Sequence, residues 1–275
     1  MSYTTLMVHL DFDHPNDARL KITADLAARF DASVIGVTAC AESTPLYFAD
    51  GAALDLILEK ENEEIGKRIK DLENRFRSSL SKRSDRVEWR SARIQPTAFL
   101  ESQCRAADLI IIGAGRKDEP IDYYRQVDPG DFVTTAGRPV LMVPQEAESL
   151  KAERILVGWK DTRECRRAVY DALPLLRQSQ QVIVAEIPED NDFVAAQEHV
   201  EDVVRWMKAH GITAEARVAA PTMAPGLQLD ALAGEENVDL IIAGAYGHSR
   251  LREWVFGGVT RDLVTSVPRC SLLSH

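Results

Sequence analysis

The sequence predicts an α/β protein in which a doubly wound, five-stranded parallel sheet occurs twice in one chain. Three observations carry this. First, Ala107-Asp108-Leu109-Ile110-Ile111-Ile112-Gly113-Ala114 returns 131 residues later as Val238-Asp239-Leu240-Ile241-Ile242-Ala243-Gly244-Ala245, and self-similarity at a fixed offset marks a repeat. Second, short β-branched or apolar runs alternate with helical periodicities along both halves. Third, the strand-like runs lack polar alternation, as strands of a parallel sheet covered on both faces do.

The repeat extends beyond that segment. Asp131-Phe132-Val133-Thr134 aligns with Asp262-Leu263-Val264-Thr265 at the same offset, whereas Leu6-Met7-Val8-His9-Leu10 matches Ile155-Leu156-Val157-Gly158-Trp159 at an offset of 149. The difference, 149 − 131 = 18, places about 18 extra residues between the first and fourth strands of the first half, most plainly between Cys40 and Ser84.

In order, the first half reads as strands at 4–10, 33–39, 87–94, 108–113 and 139–143. Helices fall near 15–30, where Pro15 and Asn16 start a helix, then near 53–83, 96–107 and 128–136. The second half gives strands near 154–159, 181–187, 213–219, 238–243 and 270–273, with helices near 162–178, 191–210, 225–237 and 258–267. Right-handed crossovers make such a βαβαβαβαβ unit doubly wound. Its binding chemistry belongs outside the carboxyl ends of the strands, at the topological switch point. Pro144 to Lys151 is a short polar linker, so we expect domains at 1–145 and 152–275 packed as an internal pseudo-dimer.

Forty-three acidic residues against 33 basic ones give a net charge of −10, which opposes attraction to nucleic acid or to an anionic membrane. Met1 to Arg19 has no apolar stretch of signal-peptide length and no window approaches the roughly 20 apolar residues of a membrane span. Cys40, Cys104, Cys165 and Cys270 lie far apart without a C-x-x-C pair, so no disulfide framework or zinc site is expected. A cytoplasmic location with reduced thiols follows as the expectation.

The chemistry-bearing stretch lies in the second half. Gly244-Ala245-Tyr246-Gly247-His248-Ser249-Arg250 and, further on, Gly257-Gly258-Val259-Thr260 reduce to G-x2-G-x9-G-G-x-T. Bare amides after a strand, with a helix start behind them, suit a phosphate chain. Thr260 could add a hydroxyl, and His248, Arg250 and Arg252 could meet phosphate oxygens. The same glycines would also serve as turns and helix caps, with Trp254, Val255 and Phe256 as packing residues. There is no G-x-x-x-x-G-K-[ST], and Gly113-Ala114-Gly115 lacks the third glycine of a dinucleotide fingerprint.

The repeated D-L-I-I-x-G strand and Gly244-x2-Gly247-x9-Gly257 before a helix resemble the universal stress protein family, in its tandem two-domain form. The resemblance covers nearly the whole chain. It implies a Rossmann-like fold of the adenine nucleotide alpha hydrolase type, ATP as ligand with Mg2+ as its companion, and a dimeric habit. It implies that Gly244, Gly247 and Gly257 hold phosphates and that an aspartate ending the first strand contacts the ribose. Two departures stand out: Gly258 replaces the family's Ser or Thr, and Trp159-Lys160-Asp161 puts Lys160 where the aspartate belongs. A residue shifted by one along a strand points to the opposite face. Lys160 could instead meet a phosphate, while Asp161 with Thr162 has the commoner role of capping the next helix.

The first half shows the reverse pattern. It keeps Asp11, but Asp118, Glu119 and Asp122 in its fourth-strand loop would repel a triphosphate. We expect no nucleotide there, only packing or a different ligand. Asp11-Phe12-Asp13-His14 could be read as a metal cluster, but a loop and helix start is the simpler reading. Cys165 reads as a buried thiol rather than an activated one. Leu54, Leu58, Ile65, Ile69, Leu72, Phe76 and Leu80 form a helical stripe of roughly 40 Å. It would serve either as a surface for a homodimer or protein partner through residues 54–80, or as a helix resting on the other domain.

No nucleophile, base and acid constellation is visible. The expected function is therefore a stress-response binding module for an adenine nucleotide in the second domain. A nucleotide-free interaction scaffold and a slow ATPase are the alternatives.

Overall fold

The computed structural model describes residues 2–42, 51–116, 119–188, 191–245, 259–265 and 268–275, and at 51–57, 83 and 84 it describes the backbone only. The first half supplies β1 (Thr5–His9), β2 (Ser33–Ala39), β3 (Val87–Ala92), β4 (Leu109–Gly113) and β5 (Val140–Val143). The second supplies β6 (Arg154–Trp159), β7 (Gln181–Glu186), β8 (Ala214–Val218), β9 (Leu240–Gly244) and β10 (Cys270–Ser274).

These strands form one sheet in the order β3-β2-β1-β4-β5-β10-β9-β6-β7-β8. Within each half every pairing is parallel, and the halves join through an antiparallel pair in which Leu272 stands opposite Leu141. Each half would otherwise expose β5 or β10 as an open apolar edge, and pairing the two edges removes that liability. The internal pseudo-dimer is thus a continuous sheet. Its two switch points lie between β1 and β4 and between β6 and β9.

Helices cover both faces: α1 (Asp17–Phe30), α2 (Gly51–Ser79), α3 (Pro96–Gln103) and α4 (Pro129–Thr135) on the first half. On the second lie α5 (Arg163–Asp171), α6 (Leu173–Leu176), α7 (Phe193–Ala209), α8 (Pro225–Glu235) and α9 (Val259–Thr265). Several starts follow the sequence directly. The Asp128 carboxylate accepts from the amides of Gly130 and Asp131 ahead of Pro129, and Asp192 accepts from the amide of Ala195, which satisfies amides that a helix leaves free at its first turn. Alternating strand residues feed two cores that both run across the joint. Leu6, Val8, Leu141, Val157 and Leu272 face one side, and Met7, Ile110, Val140, Ile241 and Leu273 the other.

Two expectations change in detail. The helix expected over 162–178 breaks into α5 and α6 around Ala172, because Pro174 has no amide to continue the ladder. The helix expected over 53–83 ends at Ser79 and a 3-10 turn follows over Ser81–Arg86. The extra length does fall in the β2 to β3 crossover, which takes residues 40–86 where its counterpart takes 187–213.

Over its described side chains, which leave out Leu54, the long stripe packs on its own domain. Ile65, Leu72, Phe76 and Leu80 are buried in the first half, the Phe76 ring lies 5.5 Å from that of Trp89, and Arg75 pairs with Asp17 at 2.8 Å. An apolar face that long meets β2, β3 and α1 before it could reach across the joint. Among the described residues, no helix is long and apolar enough to cross a membrane.

Candidate functional site

At the second switch point, β9 ends in Gly244 beside the end of β6. Residues 246–258 carry the glycine spacing, so Gly247, His248, Arg250, Gly257 and Gly258 lie outside the described residues. Thr260 is described, buried in the first turn of α9.

Gly244 is pressed against the chain itself. A Cβ added there would lie 2.6 Å from the Cys165 amide nitrogen and 2.7 Å from the Glu164 carbonyl carbon. No real Cβ sits that close to backbone, so this glycine lets the first turn of α5 approach the strand. The short connection explains the approach: residues 160–162 join β6 to α5, whereas 10–16 join β1 to α1.

The aspartate substitute behaves as a capping segment. Thr162 accepts from the Cys165 amide at 3.4 Å, while Asp161 is exposed and meets Arg166 at 3.4 Å. Lys160 is half-buried and its carbonyl accepts from the Thr162 amide at 2.6 Å. Trp159 is 8% exposed and packs in the second-half core. Burial pushes the Cys165 thiol up in pKa, against the opposing pull of the Gly244 and Lys160 amides and the Thr162 hydroxyl. It is a packed thiol whose surroundings disfavour the thiolate.

The first switch point is built differently. There the longer connection leaves a cavity of about 80 Å³ above the ends of β1 and β4, lined among others by His9, Asp11, Arg19, Gly113, Gly115 and Arg116. Small-molecule pockets run to roughly 300 Å³ or more, so this cavity is small for such a site; of the acidic loop residues, Glu119 lines it and Asp118 lies outside the described residues. Arg19 projects from the first turn of α1 into this cleft and is only 5% exposed. Its guanidinium donates to the His9 and Pro15 carbonyls, each at 3.0 Å.

Burial and then Arg19 push the His9 imidazole down to about 4, with Asp11 pulling the other way, so His9 is neutral. Burial lowers Arg19 to about 10 while Asp11 supports its charge. Burial alone would raise the Asp11 carboxyl, but the Arg19 guanidinium, the His14 amide and the His14 ring hold it below its ordinary value. Its Oδ1 accepts from the amides of Asp13 and His14 and pairs with the His14 ring at 3.0 Å. Asp11, Asp13 and His14 thus form a loop and helix start, and the described residues contain no cluster of three or more groups able to hold a metal.

Sequence reasoning missed the reach of Arg19. A signal was present: Arg19 precedes Thr23 and Leu26 on the stripe of α1 that faces the sheet, a place where helices put apolar side chains.

No family model matches this sequence, and no curated protein matches it. The fold does have solved counterparts over nearly its full length. A universal stress protein from Archaeoglobus fulgidus DSM 4304 shares 13% identity, with 98% of this chain and 95% of that one covered at a TM-score of 0.70. A putative universal stress protein from Pseudomonas aeruginosa UCBPP-PA14 shares 15% identity, with 99% and 93% covered at 0.61. A functionally unknown protein from Pseudomonas aeruginosa PAO1 shares 15% identity, with 99% and 92% covered at 0.60. The chain therefore has the two-domain fold found in universal stress proteins.

Proposed function

We propose that this chain is a tandem protein of the universal stress type, a regulatory module whose second domain holds ATP or a related adenine nucleotide. One observation carries the reading: the glycine-spaced stretch begins at the end of β9, on the border of the second switch point, and returns at Thr260. That edge is where open α/β sheets bind their ligands. The amides of Gly247, Gly257 and Gly258 would hold phosphate oxygens, His248 and Arg250 would offset their charge, and Mg2+ would accompany them. Gly258 offers an amide without the hydroxyl of the family pattern, and Lys160 replaces the ribose-binding aspartate. Both departures point to weaker binding than the full motif gives. The buried, neutral thiols suit a reducing cytoplasm.

A second reading is favoured by the contact of Gly244 with α5: the domain is a nucleotide-free scaffold, and that glycine serves packing alone. Calorimetric titration with ATP and magnesium separates the two. Saturable heat in the native protein and none in Gly247→Val supports the nucleotide module. No heat at millimolar ATP leaves the scaffold. Phosphate release above that of Gly247→Val would be required to call the protein an ATPase.

A further inference from the structure

We propose that the cleft of the first domain is a separate site for a compact oxyanion of the phosphate or sulfate type, held by the Arg19 guanidinium between the parted ends of β1 and β4. A guanidinium has five N–H donors, and among the described residues Arg19 donates to two carbonyls. Among the described residues no carboxylate comes within ion-pairing distance of it, although it is only 5% exposed. Asp11 offsets part of this buried charge without touching it, and an anion in contact supplies the rest together with the missing acceptors.

The surroundings agree. The guanidinium lies against the bare end of β4, since a Cβ on Gly113 would sit 3.3 Å from its Cζ and Nη1. His9 lines the same cavity, 3% exposed, with an Nε2 that has no hydrogen-bond partner among the described residues. The nearest acid, Asp11, has one oxygen engaged by two amides and an imidazole. At the mouth, Arg116 is held by Glu119 at 2.9 Å and Gln145 at 2.7 Å. A cavity needs about 10–15 Å³ per water-sized group, so about 80 Å³ takes roughly five to eight, enough for the five heavy atoms of phosphate.

Among the described residues the second half has no counterpart of Arg19. Counting from each helix start, Cys165 stands where Arg19 does, and α5 is already packed against Gly244. The inference does not depend on nucleotide binding by the second domain.

The test is titration of the full chain with inorganic phosphate, sulfate or glycerol 3-phosphate, read by calorimetry and by Tm at matched ionic strength in chloride. Native protein should bind phosphate saturably, and Arg19→Met should bind it roughly tenfold to a hundredfold more weakly. Should Arg19→Met fail to fold, Gly113→Ala crowds only a flexible side chain and should weaken phosphate binding in a folded protein. Tighter binding of the ester identifies a phosphate group on a small molecule as the natural ligand, and binding of phosphate alone identifies the free ion. No saturable phosphate binding, an equal response in Arg19→Met, or a response abolished by Gly247→Val but kept in Arg19→Met would overturn the proposal.

Discussion

Leu141 and Leu272 face each other across the joint between β5 and β10, and they are also equivalent residues of the two repeats, 131 positions apart. A two-fold axis between the halves requires this, because an isologous contact pairs a residue on the axis with its own copy. The second half therefore docks on the first as an identical subunit would.

Both leucines are fully buried. Leu141→Ala and Leu272→Ala should each cost about 2–5 kcal/mol. Because the two side chains share one contact region, the double variant should depart from additivity by about 0.5 kcal/mol or more. Urea denaturation of the four proteins checks this. Additive losses below about 1 kcal/mol each would contradict a packed joint.

Gly244→Ala should lower stability by about 1–3 kcal/mol, because the new methyl meets backbone of α5 that cannot swing aside. The loss should be the same with and without ATP present. A melting curve matching the native one would show that α5 does not press on the strand.

Thr162→Ala should cost about 1 kcal/mol through loss of the α5 cap. Asp161→Ala, which removes only an exposed ion pair, should stay within about 0.5 kcal/mol. Equal effects of the two in chemical denaturation would refute the division of roles.

His9 should make the fold acid-sensitive. Its imidazole is pushed down to about 4 in the folded chain, against about 6.5 when unfolded. Between those values the unfolded chain takes up a proton that the folded chain refuses. The stabilising contribution is therefore complete above pH of about 6.5 and is lost as the pH falls toward 4. Urea midpoints at pH 7 and pH 5 should differ less in His9→Gln than in the native protein, by a gap on the order of 1–2 kcal/mol. Parallel pH profiles would contradict a buried neutral His9.

Much of the fold was legible in the sequence because it rests on periodicity and repetition. The strands from Thr5–His9 to Cys270–Ser274 fall within a residue or two of the apolar runs, since the inner strands are buried on both faces and leave an uninterrupted signal, whereas the edge strands β3 and β8 are only partly buried. The joint was legible as a pseudo-dimer but not as a shared sheet, because no local pattern distinguishes strand pairing from face packing. The break at Ala172 was missed although Pro174 announces it. The site was less legible. Gly244 has the spacing of a phosphate loop and also the contact of a packing glycine, and sequence alone cannot separate two uses of a missing side chain. Arg19 was overlooked because its role depends on the seven residues between β1 and α1, which hold the helix end away from β4.

The nucleotide reading meets its most direct test in a crystal structure grown with ATP and magnesium. The expected result is triphosphate density beyond the end of β9, with the amides of Gly247, Gly257 and Gly258 within about 3.2 Å of its oxygens. Those amides donating to the chain's own carbonyls, with no nucleotide above the second domain, would contradict it.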